Sequence, residues 1–267
     1  MPDKAKSDYT IFDHPDVISV LFHPRRDTPG KDSPPNMIPF RIPLEDGESL
    51  GAAFHAAGQK SPTILFFHGN GEIVSDYDDI GKIFVRQGIN FFVVDYRGYG
   101  VSSGSPTVSS MLKDCHAVFG FVKEWLAASG YGGNLIVMGR SLGSACALEL
   151  AVQKGYIIAG LIIESGFAYA LPLLRLMGVD PDRLGLREDM GFRNIEKISR
   201  CQLPLLVIHA EHDHIVPYAD GQAIFKYSPA KDKNFITIRE ADHNTIFYYG
   251  MADYLSGIRT FIGNLGD

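Results

Sequence analysis

The chain holds little from which a disulfide framework or a cysteine metal site could be built. It has three cysteines in 267 residues, Cys115, Cys146 and Cys201, widely separated and odd in number. They read as small buried apolar residues, and a cysteine nucleophile is the least favoured chemistry. No basic cluster accompanies the formal net charge of −6, so the phosphate-neutralising surface of a nucleic-acid binder is missing and no such partner is expected. No stretch approaches the roughly 18 to 20 apolar residues of a membrane span. The first ten residues, Met1 to Thr10, are polar where a secretory signal would be apolar. These absences predict a cytoplasmic protein with no integral membrane anchor. Internal repeats and low-complexity linkers are missing too, and the 28 glycines and 15 prolines are dispersed, so residues 1–267 are read as a single domain large enough for a sizeable core.

What is present is alternation. Two short β-like runs flank the turn signal Glu45-Asp46-Gly47-Glu48 within residues 38–57 and read as a hairpin. From residue 62 apolar runs alternate with segments of helical period. Residues 63–67 read as a strand, Tyr77, Ile80, Ile83 and Phe84 mark one face of a helix, and 91–94 is the next strand. A helix near 108–129, with Met111, Cys115, Val118, Val122, Trp125 and Leu126 in one stripe, precedes a strand at 134–138. Residues 142–154 read as a helix, 158–163, 205–208 and 235–238 as strands, and a helix ends the chain. This order predicts an α/β fold with a mostly parallel eight-stranded sheet flanked by helices. About forty residues separate the sixth and seventh strands, interrupted by Pro172, Gly178, Pro181, Gly185 and Gly191, and predict a short helical cap over 167–203. Its apolar run from Tyr169 to Met177 either packs on the domain or lines an acyl pocket; in the second case Leu171, Leu174 and Met177 are the expected substrate contacts.

The strongest chemical signal is Gly139-Arg140-Ser141-Leu142-Gly143, a G-x-S-x-G motif where a predicted strand turns into a predicted helix. A serine held at so sharp a turn brings neighbouring backbone close, and glycine on both sides avoids the clashes. A hydroxyl is a poor nucleophile at neutral pH and needs a base; histidine has the unperturbed pKa for that task. Of nine histidines, His243 is preferred because it follows the last predicted strand in a polar loop before the final helix. The orienting acid must lie between Ser141 and His243 at a strand end, which leaves Asp213 and Glu164. Charge developing on the carbonyl oxygen calls for two backbone N–H donors. Leu142 offers one by following the serine, and the loop His68-Gly69-Asn70-Gly71 offers the other, with Asn70 chosen ahead of Gly71.

Together these residues resemble the α/β-hydrolase superfamily from about residue 40 to the C-terminus. The loop at 68–71, Asp95-Tyr96-Arg97-Gly98-Tyr99-Gly100, the elbow at 139–143, the loop Asp213 to Pro217, and Asp242-His243 occur in the order that family shows. The resemblance favours Asp213 over Glu164 as triad acid. Ser103-Gly104-Ser105-Pro106 and Glu164-Ser165 look like the branch that contains fungal and animal serine hydrolases and protein depalmitoylases. It implies hydrolysis of a small-molecule ester or thioester through an acyl-enzyme, with no cofactor. Depalmitoylases of that branch carry a cysteine-rich, lipidated N-terminus, whereas residues 1–114 here contain no cysteine, a departure that argues against membrane-bound protein substrates. Three rivals remain. His209, Glu211, His212, Asp213 and His214 are a dense set of potential metal ligands, but they leave a strand within a few positions and their side chains should diverge, so no metal is expected. A catalytically inactive member of the fold, or one that transfers its acyl group to an acceptor other than water, is the alternative to a hydrolase.

Overall fold

Apolar side chains alternate along the strands, and each set goes to a different face. Leu65 and Phe67 belong to one buried cluster and Ile64 and Phe66 to another, so the sheet they build is covered on both sides. The computed structural model describes residues 9–27 and 37–266; most of the polar start, residues 1–8, lies outside these. The strands are β1 (Met37–Pro43), β2 (Ser49–His55), β3 (Thr63–Phe67), β4 (Asn90–Val94), β5 (Leu135–Arg140), β6 (Gly160–Glu164), β7 (Leu205–Ala210) and β8 (Lys233–Ile238). They form one sheet in the order β1-β2-β4-β3-β5-β6-β7-β8, with β1 and β2 antiparallel to their neighbours and the remaining pairs parallel. The expected hairpin, eight strands and mostly parallel sheet are all present.

Helices α1 (Pro15–Leu21), α3 (Val108–Ala128), α4 (Ser144–Lys154), α6 (Asn194–Ser199) and α7 (Tyr218–Tyr227) place side chains in the first cluster; α2 (Asp78–Arg86) and α8 (Ile246–Gly263) serve the second. The α3 stripe is buried as its spacing predicts, except that Trp125 is half-buried, stacked on Tyr131. The α2 face differs from expectation: Tyr77, Gly81 and Phe84 are buried, while Ile80 and Ile83 are only half-buried. The reason is His55 at the end of β2, whose ring occupies the space that a Cβ at Gly81 would need. Burial, with help from the Lys82 charge, pushes the His55 imidazole down to about 4. A folded-state pKa below the unfolded value of 6.5 means that the folded state resists protonation, so stability is full above 6.5 and is lost as pH falls towards 4. Urea unfolding between these pH values is expected to show that loss in the wild type and a flatter dependence in His55→Phe.

The stretch expected as a cap, 167–203, divides in two. Helix α6 packs on α4 and α7, as the crossover between two parallel strands does. Helix α5 (Ala170–Leu176) and the turns after it are the irregular part. The Glu188 carboxylate accepts from the Ala170 and Leu171 amides at 2.7 and 3.0 Å and caps α5, while Asp220 of α7 accepts from Ala168 N–H at 2.8 Å.

Candidate active site

Strand β3 lies between β4 and β5, so the strand order reverses there and the loops after β3 and β5 diverge, leaving a crevice at their carboxyl ends. Ser141 sits at that crevice, immediately after β5, in a 3-10 turn (Ser141–Gly143) that leads into α4. Its φ of 50° is in the left-handed region, which a non-glycine residue adopts only where its surroundings hold it. The flanking glycines explain how. A Cβ at Gly139 would run into the Gly143 carbonyl, and one at Gly143 into the Phe67 carbonyl at the end of β3. Ser144 Oγ donates to the Ser141 carbonyl at 2.6 Å and closes the turn.

The loops after β7 and β8 bring an acid to a histidine. His243 Nδ1 lies 2.7 Å from Asp213 Oδ2, both residues buried. Asp213 Oδ1 accepts from the amides of Ile215 and Val216 at 3.0 and 2.8 Å. Burial alone would raise the Asp213 pKa, but the hydrogen bond and charge of His243, with the Val216 amide, outweigh it and hold the carboxyl below its usual range. The two loops are tied by the His212 amide, which donates to the Ala241 carbonyl at 2.9 Å. Asp242 Oδ1 accepts from the amides of Asn244 and Thr245, shaping the turn that carries His243. Glu164, the other acid considered, is engaged elsewhere: Arg140 Nη1 and Tyr254 OH contact its two oxygens at 2.8 and 2.7 Å.

The loop after β3 is braced by the second motif. Tyr99 OH donates to Asn70 Oδ1 at 2.8 Å, Tyr96 OH donates to the His68 carbonyl at 2.6 Å, and Asp95 Oδ1 lies 3.2 Å from His68 Nε2. The segment after α1 clamps the same loop. His23 N–H donates to Asn70 Oδ1 at 2.7 Å, and Arg25 Nε donates to the Gly71 carbonyl at 2.8 Å.

A cavity of about 440 Å³ joins these elements. Ser141, His243 and Asn70 line it together with Gly69, Glu72, Asn244 and His23, and Val20, Met177 and Ile215 give it an apolar wall. Leu142 is the buried residue after Ser141. Of the three side chains expected to contact substrate, only Met177 reaches the cavity. Leu171 and Leu174 are corrected to core residues: both are buried in the first apolar cluster because the inward face of α5 packs on the domain. Val20, His23, Ile215, Glu72 and Arg140 were not singled out from the sequence; Arg140 and Ile215 carried a local signal, their places inside the elbow motif and the Asp213 to Pro217 loop.

The suspected ligand run splits into a buried pair, His209 Nε2 and Asp213 Oδ2 at 3.5 Å, and an exposed pair, Glu211 and His212. His209 is buried with Nε2 donating to the Val216 carbonyl at 3.0 Å, and Asp213 faces His243. Among the described residues, Glu211, His212 and Glu240 bring one ligand atom each within 4.8 Å of one another, all exposed on the surface. No helix among the described residues is long and apolar enough to cross a membrane.

Residues 58–177 and 190–247 match the Hydrolase_4 family, described as Serine aminopeptidase, S33. Alpha/beta hydrolase domain-containing protein 17C of Xenopus tropicalis is 32% identical over 231 residues, covering 84% of this chain and 69% of the relative. The human protein 17B is 33% identical over 209 residues, covering 75% of this chain and 66% of its own length. Among solved structures, Est1E from Butyrivibrio proteoclasticus with bound ferulic acid superposes with a TM-score of 0.71 at 19% identity, over 85% of this chain and 98% of that one. An esterase of Pyrococcus furiosus gives 0.72 at 17% identity, over 91% and 100%. At such identities the superpositions establish the fold; the family match and the sequence relatives carry the membership. This chain belongs to the α/β-hydrolase family of serine hydrolases.

Proposed function

We propose that this protein cleaves a carboxylic ester or thioester through an acyl-enzyme on Ser141. The reading is carried by one observation: the 2.7 Å contact between His243 Nδ1 and Asp213 Oδ2 beside a cavity that His243 shares with Ser141. Ser141 Oγ attacks the carbonyl carbon while its proton passes to His243 Nε2. Asp213 keeps the other ring proton on Nδ1 and stabilises the imidazolium. The amides of Asn70 and Leu142 receive the oxyanion, and their fixed positions lower the barrier without reorganisation. Collapse of the tetrahedral species expels the alkoxide or thiolate, which takes the proton from His243. Water then attacks the acyl-enzyme by the same route in reverse, releasing the acid and returning the proton to Ser141. The apolar wall of Val20, Met177 and Ile215 accounts for an apolar portion of the substrate, and Asn244 and His23 for a polar one.

Hydrolysis of p-nitrophenyl esters from acetyl to palmitoyl tests the proposal. The expected result is turnover that peaks at one chain length, an initial burst of p-nitrophenolate matching the enzyme concentration, and covalent labelling by a fluorophosphonate. A protein that shows no turnover at any chain length and takes no label would overturn it.

A further inference from the structure

The residue between Gly139 and Ser141 is an arginine whose side chain is almost fully buried, directly before the nucleophile at the end of β5. Burying a guanidinium is costly unless its N–H groups are matched, and here they are matched by three separate segments. Nε donates to Glu72 Oε1 at 2.8 Å, Nη1 to Glu164 Oε1 at 2.8 Å, and Nη2 to the His243 carbonyl at 2.9 Å. The chain continues beyond the first partner, since Glu72 Oε2 accepts from the Gly69 amide and from Tyr77 OH, both at 2.6 Å. Burial would raise the Glu72 pKa, but the Arg140 charge and the Tyr77 hydrogen bond hold it at about 2. The planar fork therefore touches the backbone of the residue that carries the base and, through Glu72, the loop that carries Asn70.

We infer that Arg140 is a positioning residue: its guanidinium sets the His243 loop and the Gly69–Glu72 loop in register with Ser141, contacting no substrate itself. The inference rests on the serine-hydrolase reading and adds a residue to it. A neutral filler would leave Glu72 and Glu164 without the cation they share, so these contacts specify geometry as well as stability. Lysine keeps the charge but presents a single ammonium and cannot reach all three acceptors in the fork's plane. Displacing reacting groups by an ångström costs about a hundredfold in rate.

Arg140→Lys is accordingly expected to lower kcat about a hundredfold while KM stays within about threefold, because the loss is of alignment and not of substrate contacts. A second readout needs no turnover: the low-field proton resonance of His243 Nδ1–H in its bond to Asp213, which should be sharp in the wild type and broadened or lost in Arg140→Lys. Lys197→Met, which breaks the buried ion pair between Lys197 of α6 and Glu149 of α4, is the control for destabilisation alone; it should lower Tm and leave both readouts in place. Should Arg140→Lys fail to fold, Glu72→Gln carries the same readouts, with an expected kcat loss of about tenfold. Unchanged kcat and an unchanged resonance in the folded variant would overturn the inference. A wild type that is neither labelled by a fluorophosphonate nor active on any ester would instead overturn the reading beneath it.

Discussion

Ser141→Ala is expected to remove ester hydrolysis almost entirely, lowering kcat by about ten-thousandfold to a millionfold while leaving the fold intact. The size follows from what the hydroxyl does. On the proposed mechanism, removing Oγ removes the acyl-enzyme, and the residual rate would come only from water attacking a substrate held by the Asn70 and Leu142 amides. Intactness follows from the backbone. At φ 50° alanine and serine meet a similar steric cost, and the glycines that let the elbow approach β3 are untouched. The Ser144 hydroxyl bonds the Ser141 carbonyl and not its side chain, so the turn keeps its closing contact. Steady-state kinetics on the best p-nitrophenyl ester, with circular dichroism and Tm on the same samples, give the comparison. The burst and the fluorophosphonate label should vanish together. Equal turnover in both proteins would remove Ser141 from the mechanism.

Such a variant can be chosen because the elbow announces itself locally: a serine between two glycines within five residues, at a junction that hydrophobic periodicity locates. The sheet was legible for the same reason, since the central strands β3 to β7 are short apolar runs between breakers. Features that depend on distant partners were not. Arg140 lies inside the motif, yet its partners are 68, 24 and 103 residues away along the chain, and no spacing rule joins them. Gly81 took the inner position on α2 because a histidine from another strand needed the room, which helical periodicity cannot foresee. The apolar run of α5 had two outcomes with the same composition, core or cavity wall. Leu171 and Leu174 went to the core and Met177 to the cavity, a division made by the direction of one short helix. His23 and Val20 enter the cavity from a segment that precedes the sheet and carries no motif of its own.

The choice between Asp213 and Glu164 was open from strand ends alone, and two isosteric substitutions separate them sharply. Asp213→Asn is expected to lower kcat about ten-thousandfold, because its hydrogen bonds force the amide into one orientation. Oδ1 accepts from two backbone N–H groups, at Ile215 and Val216, so the asparagine oxygen must stay there. The NH2 group then faces His243 Nδ1 and donates to it. The ring proton moves to Nε2, the atom that must be free to accept from Ser141, and general-base catalysis is blocked with little change in shape. Glu164→Gln meets a different environment. Its two oxygens both accept, one from Arg140 and one from Tyr254, so the new NH2 either confronts the Arg140 donor or turns the Tyr254 hydroxyl into an acceptor and leaves that O–H without a partner. A buried donor left unsatisfied costs about 1–3 kcal/mol, which appears as a lowered Tm. Turnover should fall by no more than about tenfold, since the His243 tautomer is unaffected and Arg140 keeps its bonds to Glu72 and to the His243 carbonyl. Kinetics and thermal unfolding measured on both variants therefore cross over: activity lost with stability kept for Asp213→Asn, stability lost with activity largely kept for Glu164→Gln. The reverse pattern would make Glu164 the acid and return Asp213 to a structural role.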